Sequence, residues 1–381
     1  MHERRANGKP LGGASSRQPS ASRAPGAVNR YRLIAYDDLY RTEKVTYRYA
    51  AGDDPWVSPS AAEDGGREDT RRGEPAPRVT FDTRVREESF RYDAFGNLTA
   101  SDDDAHGFYD RSLGTQTHGA AGAGPYQLKT AAHAATAPAP RPRGGSVEAS
   151  YDEVGQLIAL NVRRQGTCSP AGACSQRFAY TWDEAGRLLR ARRWDAPSAT
   201  TPATPPGADL RYAYDAGSMR VLKTAVGAGA PRHTVYALPG VELRGAEFTG
   251  SAFEHTAQTE VPYLHGKGVR LARVHFATES LPRLSSGALH VLLQVPDHLG
   301  SSSITLDQGT GELVERGTYT AYGQTESDYR PDRWGAFRED YRFTGKEEDT
   351  EVGLQYFGFR YFAPALHRWV SPDPLAIHEL G

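Results

Sequence analysis

Arg360 and Asp373, near the C-terminus, are residue types that together can do acid–base chemistry. Residues 354–362 place aromatic or apolar side chains on both faces, which predicts one strand covered on both sides. Arg360 would then be a buried cation needing a carboxylate partner, because an unpaired buried charge is very costly. Asp373 on the next predicted strand is the nearest candidate, with the acidic residues 347–349 as rivals. Such a pair is either a structural ion pair or a tuned catalytic carboxylate.

Two cysteines, Cys168 and Cys174, are the only thiols of the chain and lie in one loop between predicted strands. Their spacing suits a disulfide that closes a hairpin tip, worth roughly 2 kcal/mol, if the protein leaves the cytoplasm. Two free thiols are the alternative. A metal site is disfavoured because no histidine or third cysteine lies nearby in sequence.

Three other patterns fall short of a binding motif. Residues 102–104 are three aspartates, but they lack the alternating ligands and closing glutamate of a calcium loop and predict a solvated acidic turn. Residues 344–347 lack the upstream glycine and the Ser/Thr of a phosphate loop. Residues 300–303 lack the closing glycine of a nucleophile elbow. The sequence therefore predicts neither a metal nor a cofactor.

A repeated unit organises the chain around these residues. Each copy has an aromatic residue, an aspartate and, three positions after the aspartate, a glycine or its substitute. The copies are Tyr92-Asp93 with Gly96, Tyr151-Asp152 with Gly155, Trp182-Asp183 with Gly186, Tyr214-Asp215 with Ser218, and Tyr36-Asp37 with Tyr40. The later copies start at residues 151, 182 and 214, and self-similarity at a regular step indicates a repeat architecture.

The chemistry of each position predicts a β-hairpin. Alternating residues before the motif are typical of a half-buried strand, and the aspartate accepts backbone hydrogen bonds that begin a turn. The glycine adopts positive φ at little cost, and an aliphatic residue then starts the second strand. Because one hairpin is marginal in water, the hairpins are expected to add side by side. The predicted fold class is all-β, a curved antiparallel ribbon of hairpins with disordered insertions.

Bulk composition agrees with strands and turns. The chain has 20 Tyr and 40 Gly but 2 Met. A net charge of −2 gives no electrostatic case for binding nucleic acid or an anionic membrane. No apolar run approaches the ~18 residues of a transmembrane helix. Residues 1–29 are polar without an apolar core, so they predict a disordered tail and not a secretory signal.

Composition also divides the chain into predicted regions. Residues 30–230 are the repeat region, interrupted by low-complexity stretches at 52–78, 119–145 and 196–208 that predict disordered insertions at hairpin tips. Residues 231–289 form a connecting β region. Residues 290–381 form a distinct C-terminal domain with its own motifs.

The motifs of this last region carry a family resemblance. In order they are Asp297-His298-Leu299-Gly300-Ser301, Phe343-Thr344-Gly345-Lys346-Glu347, the aromatic residues Tyr356 and Tyr361, and Arg368-Trp369-Val370-Ser371-Pro372-Asp373-Pro374. With the repeats, they resemble the C-terminal part of Rhs/YD-repeat proteins, including the Rhs repeat-associated core domain. The resemblance covers residues 30–49 and 90–375, apart from the insertions.

The resemblance implies a hollow β-shell that encloses a C-terminal toxin, as in polymorphic toxins and the C component of Tc toxins, with the core domain plugging one end. Some members cleave themselves with an arginine and an aspartate that match Arg360 and Asp373, a second aspartate, and a cleavage site further along. The sequence reaches Gly381 before those last two elements. Ala363 and His367 replace the usual aspartate and glycine of the preceding turn, and histidine tolerates positive φ less well.

The sequence thus predicts a structural, encapsulating shell segment that is not an enzyme as it stands. Its expected partners are a toxin cargo or the rest of the shell. The expected location is secreted or on the cell surface by a route without a signal peptide, after synthesis in the cytoplasm. One alternative is a glycan-binding adhesion module, which exposed repeat aromatics would favour. The other is a self-processing aspartyl protease, if the chain continues beyond Gly381.

Overall fold

The computed structural model describes most of the chain from residue 31 onward. The described ranges are 31–48, 85–104, 106–119, 123–134, 144–166, 174–196, 205–248, 250–254, 259–276, 289–309, 311, 313–330, 334 and 337–374. The predicted tail at 1–29 and the predicted insertion at 52–78 lie outside them. No helix in these ranges is long and apolar enough to cross a membrane.

Strands β1 to β21 form one large antiparallel sheet. They are β1 Tyr31–Tyr36, β2 Thr42–Arg48, β3 Glu87–Tyr92, β4 Leu98–Asp103, β5 Gly114–His118, β6 Leu128–His133, β7 Gly145–Tyr151, β8 Leu157–Arg164, β9 Ser175–Trp182, β10 Leu188–Ala196, β11 Ala208–Tyr214, β12 Arg220–Ala225, β13 Arg232–Leu238, β14 Val241–Phe248, β15 Phe253–Glu254, β16 Thr259–Gly266, β17 Val269–Phe276, β18 Leu289–Pro296, β19 Ser302–Asp307, β20 Leu313–Tyr319 and β21 Thr325–Tyr329. The predicted all-β fold class is confirmed.

Chain order is also the order of strands in the sheet. Each strand pairs with the strand before it, as β1 with β2, β2 with β3, and β9 with β10. The short β15 is a side branch, because both β15 and β16 pair with β14. The sheet therefore grows by lateral addition of hairpins, without a crossover between distant strands.

One face of the repeat strands carries the main core. In β8, Leu157, Leu160 and Val162 are buried, and in β9 Phe178 and Tyr180 alternate with more exposed neighbours. These side chains belong to one cluster that extends from Phe108 near β5 to Tyr212 in β11. Full burial of one such side chain contributes roughly 1.5–3 kcal/mol, so the cluster holds neighbouring hairpins together.

A second, smaller sheet lies within residues 337–374, here called the C-terminal unit. Its strands are β22 Glu347–Asp349, β23 Leu354–Tyr356, β24 Tyr361–Ala363 and β25 Arg368–Trp369. Buried residues of the unit, including Val352, Leu354, Leu366 and Val370, belong to the same core cluster as the repeat strands. The C-terminal unit therefore covers the apolar face of the large sheet.

The single strand predicted over residues 354–362 is wrong. The segment is a hairpin in which Tyr356 of β23 pairs with Tyr361 of β24. The Phe357 amide donates to the Arg360 carbonyl, and Gly358 has φ 93°, so the chain reverses between the two strands. Glycine supplies a turn at the centre of the aromatic run, which alternation alone does not reveal.

Two predicted insertions contain ordered strand. Within 119–145, β6 pairs with both β5 and β7, and Leu128 and Ala131 are buried in the core cluster. At 196–208, Ala196 ends β10 and Ala208 begins β11. The alanine-rich composition of 119–145 concealed the short apolar alternation at its centre. Further along, β18 begins beside the predicted boundary at residue 290 and pairs with β17 and β19.

Candidate functional site

The repeat aspartates build the hairpin turns. In the Asp183 turn, the carboxylate Oδ1 accepts hydrogen bonds from the backbone amides of Ala185 at 3.0 Å and Arg187 at 2.8 Å. The backbone amide of Asp183 donates to the Arg187 carbonyl, and the Gly186 amide donates to the Asp183 carbonyl. Gly186 has φ 78°, which favours glycine. The motif thus supplies both the acceptor and the backbone freedom that the reversal needs.

The same pair of backbone hydrogen bonds recurs through the described chain. The turns begin at Asp37, Asp93, Asp152, Asp183, Asp215, Asp297, Thr320 and Arg342, and the residue three positions later has positive φ in each case. Sequence analysis found the first five as repeats and treated Asp297–Gly300 and the segment around Gly345 as separate motifs. A glycine three positions after a strand end was the signal that could have joined them.

Electrostatics favour the ionised aspartate in the Asp183 and Asp93 turns. Burial alone would raise the pKa of the Asp183 carboxyl, but hydrogen bonds from the Arg187 backbone and side chain outweigh it and lower that pKa. For Asp93, the side chain and backbone of Asn97 likewise outweigh desolvation and lower the pKa. The Asp183 and Asp93 carboxylates are therefore charged structural acceptors at neutral pH.

The repeat aromatics join each hairpin to the one before it. The Tyr92 hydroxyl donates to the Thr42 carbonyl at 2.9 Å, and the Tyr214 hydroxyl donates to the Leu188 carbonyl at 2.8 Å. The Trp182 Nε1–H donates to the Leu157 carbonyl at 2.8 Å. Each acceptor is the first residue of a second hairpin strand, β2, β10 or β8. With Tyr151, these rings are half-buried and pack against the core clusters.

A buried charge network joins the C-terminal unit to β12. Arg220 forms ion pairs with Glu347 and, at 2.8 Å, with Asp349, and Lys223 Nζ lies 2.6 Å from Glu347 and 3.0 Å from Asp349. Burial would raise the pKa of Glu347, but Arg220 and Lys223 outweigh it and hold that pKa at about 2. Tyr236 of β13 donates to the same carboxylate at 2.7 Å. The two carboxylates and the two cations thus neutralise one another in the interior.

Charged contacts also join the unit to the later strands. Arg342 pairs with Glu315 of β20, and the Arg273 guanidinium of β17 lies 3.5 Å from Glu339. All four side chains are almost completely buried. Arg338 pairs with Glu348 within the unit itself. These ion pairs were not predicted from the sequence, because no short motif connects Arg342 to Glu315 or Arg273 to Glu339.

Arg360 and Asp373 are brought together, with Arg360 Nη1 3.0 Å from Asp373 Oδ2. The Arg360 guanidinium also lies over the Trp369 ring, 4.1 Å from its centroid. The side chains are 25% and 43% exposed, so the pair lies at the surface and not in a buried aromatic layer. The proposed rivals at 347–349 face other cations. Exposure of this kind is typical of a modest structural ion pair.

The core motifs converge on neighbouring turns. The Thr344 amide donates to Ser301 Oγ at 3.1 Å, which joins the motif containing Asp297, Leu299 and Gly300 to the one containing Phe343, Gly345 and Lys346. Lys346 lies over the Phe357 ring, which packs on Trp369 at 4.9 Å. In β23 and β24, the Tyr356 hydroxyl accepts the Arg220 amide at 3.0 Å, and the Tyr361 and Tyr214 hydroxyls lie 2.9 Å apart.

His367 adopts the left-handed conformation that sequence analysis questioned, with φ 56° and ψ 33°. It ends a short 3-10 turn at Pro364–Leu366 and stacks on the Tyr322 ring at 4.8 Å. Burial, with a smaller contribution from Arg368, lowers the pKa of its imidazole to about 3. The neighbouring Ala363 is buried in the core. Aromatic packing therefore holds a histidine where glycine would be unstrained.

Two further features, a cysteine and a cluster of possible metal ligands, lie apart from the contacts between the C-terminal unit and the large sheet. Cys174 is disulfide-bonded, while Cys168, the only other cysteine of the sequence, lies outside the described residues. Their pairing remains a prediction. Asp102, His106 and His133 place ligand atoms within 4.8 Å of one another. The acidic run at 102–104 thus has histidine neighbours that the sequence pattern did not show.

Parts of the chain are similar in sequence to bacterial toxin proteins. The chain is 32% identical to toxin subunit YenC1 of Yersinia entomophaga over 192 residues, which cover 48% of this chain and 19% of that protein. It is 27% identical to toxin protein Tse5 of Pseudomonas aeruginosa over 226 residues, 54% of this chain and 16% of Tse5. The chain is similar to toxin proteins. No family model matches it.

A solved structure, TcdB2-TccC3, aligns with 92% of this chain and 18% of its own at 17% identity, with a TM-score of 0.42. At that score the alignment carries no argument about fold or function. The chain spans less than a fifth of the length of YenC1 and of Tse5. Activities and partners of whole toxins are therefore matters for proposal in this chain.

Proposed function

We propose that this chain is a wall segment of an Rhs-type toxin shell, in which the C-terminal unit closes against the wall and isolates a cargo. Similarity to toxin subunit YenC1 and toxin protein Tse5 supports the toxin context. Membership of the Rhs/YD-repeat family, and the core-domain boundary near residue 290, are part of the same proposal. So are synthesis in the cytoplasm and delivery outside the cell without a signal peptide.

The observation that carries the proposal is the breadth of docking between the C-terminal unit and the sheet. The Leu157 amide of β8 donates to the Val370 carbonyl at 2.8 Å, and Arg220 of β12 pairs with Asp349. Arg270 of β17 donates to the Gly345 carbonyl at 2.7 Å. One unit thus holds hairpins far apart in sequence, as a closing element of a wall would.

A fusion experiment tests encapsulation. A small folded reporter enzyme is joined after Gly381 and, as the matched control, ahead of Met1 in a second version of the same chain. We expect protease to degrade the C-terminal reporter at least about tenfold more slowly than the N-terminal reporter, because only the former is delivered beside the C-terminal unit. Equal rates for the two fusions would contradict encapsulation by this chain.

The proposal assigns Arg360 and Asp373 a structural role in this 381-residue chain. Their exposed ion pair and the cation–π contact with Trp369 support that role. Intact-mass measurement is the test: the purified chain and its Asp373→Asn variant should both keep full mass during prolonged incubation. A cut in the wild-type chain that is absent from the variant would instead establish an aspartate-dependent protease.

Glycan binding receives less support from the positions of the repeat aromatics. Tyr92, Trp182 and Tyr214 are half-buried, and their polar atoms are engaged with the preceding hairpin. A sugar-stacking platform needs a ring face open to solvent. The aromatics are better suited to joining hairpins than to binding a carbohydrate.

A further inference from the structure

A compact group of potential metal ligands lies away from the C-terminal unit. Asp102 ends β4 together with Asp103, His133 ends β6, and His106 follows the turn after β4. His106 Nδ1 lies 3.0 Å from Asp102 Oδ1, and His133 Nε2 lies 3.3 Å from the same oxygen. The His133 side chain is 12% exposed, and the other two are about two-fifths exposed. The group is thus open to solvent on one side.

The fold brings these residues together across an intervening strand. Gly114 of β5 pairs with Ser101 of β4, and a Cβ at Gly114 would lie 2.8 Å from the His133 Cβ. A glycine with φ 64° is therefore what lets His133 approach the end of β4. His106 itself has φ 50°, a conformation that a histidine adopts at a cost. Both backbone features serve to place the imidazoles beside one carboxylate.

The orientation of His133 provides a second, independent observation. His133 Nδ1 lies 2.7 Å from the Ala134 carbonyl, which only accepts hydrogen bonds, so Nδ1 carries a proton. In the neutral ring, Nε2 then presents a lone pair to the Asp102 carboxylate oxygen. A metal ion bound by both atoms would satisfy this pair of acceptors. A backbone carbonyl that fixes the tautomer in this way is the usual outer partner of a metal-binding histidine.

We propose that Asp102, His106 and His133 bind a divalent transition-metal ion of the zinc class. Around a tetrahedral Zn²⁺ with bonds of ~2.0–2.1 Å, neighbouring ligand atoms lie ~3.3 Å apart, which agrees with the two spacings to Asp102. Two imidazoles and one carboxylate suit zinc or cobalt, whereas calcium takes six to eight oxygen ligands. The fourth position is left for water or for a ligand from another molecule.

The bound ion would fasten β4 to β6 across β5. An ion that binds the folded chain and not the unfolded chain stabilises the folded state. This stabilisation grows with the logarithm of the ratio of ion concentration to Kd. The site therefore has a readout that does not depend on any enzymatic activity.

The test uses the full chain without a histidine tag, after chelator treatment, and Co²⁺ as a spectroscopic substitute for Zn²⁺. We expect a visible d–d absorption band from Co²⁺ that Zn²⁺ displaces, and a melting temperature that rises with added Zn²⁺. His133→Ala and His106→Asn should each weaken binding at least about tenfold. Asparagine is chosen at position 106 because it tolerates positive φ.

His298→Ala is the matched control, because His298 is an exposed histidine in another hairpin turn. It should keep the Co²⁺ band and the Zn²⁺-dependent melting shift unchanged. Circular dichroism verifies that each variant is folded. A Co²⁺ spectrum that survives His133→Ala, or a wild-type chain with no Zn²⁺-dependent melting shift, would overturn the proposal and leave a protonated His133 as the cation beside Asp102.

Discussion

His367 shows how one residue can keep a fold-specific conformation that its type disfavours. The half-buried imidazole packs against Tyr322 and Phe90, and it occupies a left-handed position at the end of Pro364–Leu366. Its side chain thus compensates for backbone strain by packing. The structural consequence is a histidine that resists protonation in the folded chain.

The pKa of His367 predicts acid sensitivity. Because the pKa falls from its ordinary 6.5 to about 3, the unfolded chain takes up a proton first, so stability is lost as pH falls from 6.5 towards 3. Between pH 7 and pH 5, the wild-type chain should lose about 2 kcal/mol more than His367→Asn. Urea denaturation at the two pH values measures this difference. The variant is less stable overall, since it loses the aromatic packing.

Comparing how the free energy of unfolding changes with pH in the wild-type chain and in His367→Asn separates the contribution of His367 from those of other titrating groups. Burial lowers the pKa of His275 to about 3 and acts in the same direction, whereas burial raises the pKa of Glu88 to about 7 and acts in the opposite one. Both remain in the variant. The control His298→Asn, at an exposed turn, should show the same change of unfolding free energy with pH as the wild-type chain. If His367→Asn showed that same change, the packing of His367 would not govern acid stability.

At the scale of the element, the aspartate of a repeat stabilises its own hairpin turn. Asp183→Ala removes the acceptor of the Ala185 and Arg187 amides and the ion pair to Arg187. We expect a loss of about 1–2 kcal/mol, because side-chain acceptors of terminal amides contribute that much. Chemical denaturation measures it. Glu184→Ala, one position further in the same exposed turn, should change stability by less than about 0.5 kcal/mol.

The repeat tyrosine predicts a separate contribution between hairpins. Tyr214→Phe keeps the ring but removes the hydroxyl that donates to the Leu188 carbonyl and meets the Tyr361 hydroxyl. Loss of this bond should cost about 1 kcal/mol in thermal or urea unfolding. Tyr126→Phe is the control, since Tyr126 is 62% exposed. A Tyr214→Phe chain as stable as the control would mean that the hydroxyl plays no part in joining β11 to the previous hairpin.

Local elements were largely predictable from the sequence. The spacing between Asp183 and Gly186 predicts a turn directly. A turn of this type needs a side-chain acceptor and, at a fixed later position, a residue that adopts positive φ at little cost. The hairpin centred on Gly358 was missed, since the aromatic residues around it alternate as in one strand. The strand Leu128–His133 was missed because its alanines carry little hydrophobic signal. Composition is a poor predictor of such short strands when their stability comes from pairing with the strands on both sides.

At the scale of the whole molecule, the C-terminal unit depends on the Arg220 network. Arg220→Met leaves Glu347 and Asp349 buried with only Lys223 as a cationic partner. Removing one member of a buried charge group typically costs about 3–5 kcal/mol. We expect that loss in urea denaturation. Arg211→Met, whose arginine is 53% exposed beside Asp209, is the matched control and should cost less than about 1 kcal/mol. Equal losses would argue against docking through this network.

The long-range pairs were not predictable from one sequence. Arg220 and Asp349, or Arg273 and Glu339, are joined only after the sheet has positioned their strands. By contrast, Arg360 and Asp373 were paired correctly by asking which carboxylate could neutralise a nearby cation. This pair was predictable because both residues lie in one small sheet region, although the predicted burial is wrong and the pair lies at the surface.

The order of strands has a consequence for synthesis on the ribosome. Because nearly every strand pairs with the one just made, its partner is already present when it emerges, and the sheet can lengthen from its N-terminal end without waiting. The C-terminal unit is different, since it contacts strands from β3 to β20 and is translated after all of them. Docking of the C-terminal unit onto strands that were made earlier thus joins hairpins that are otherwise connected only to their neighbours.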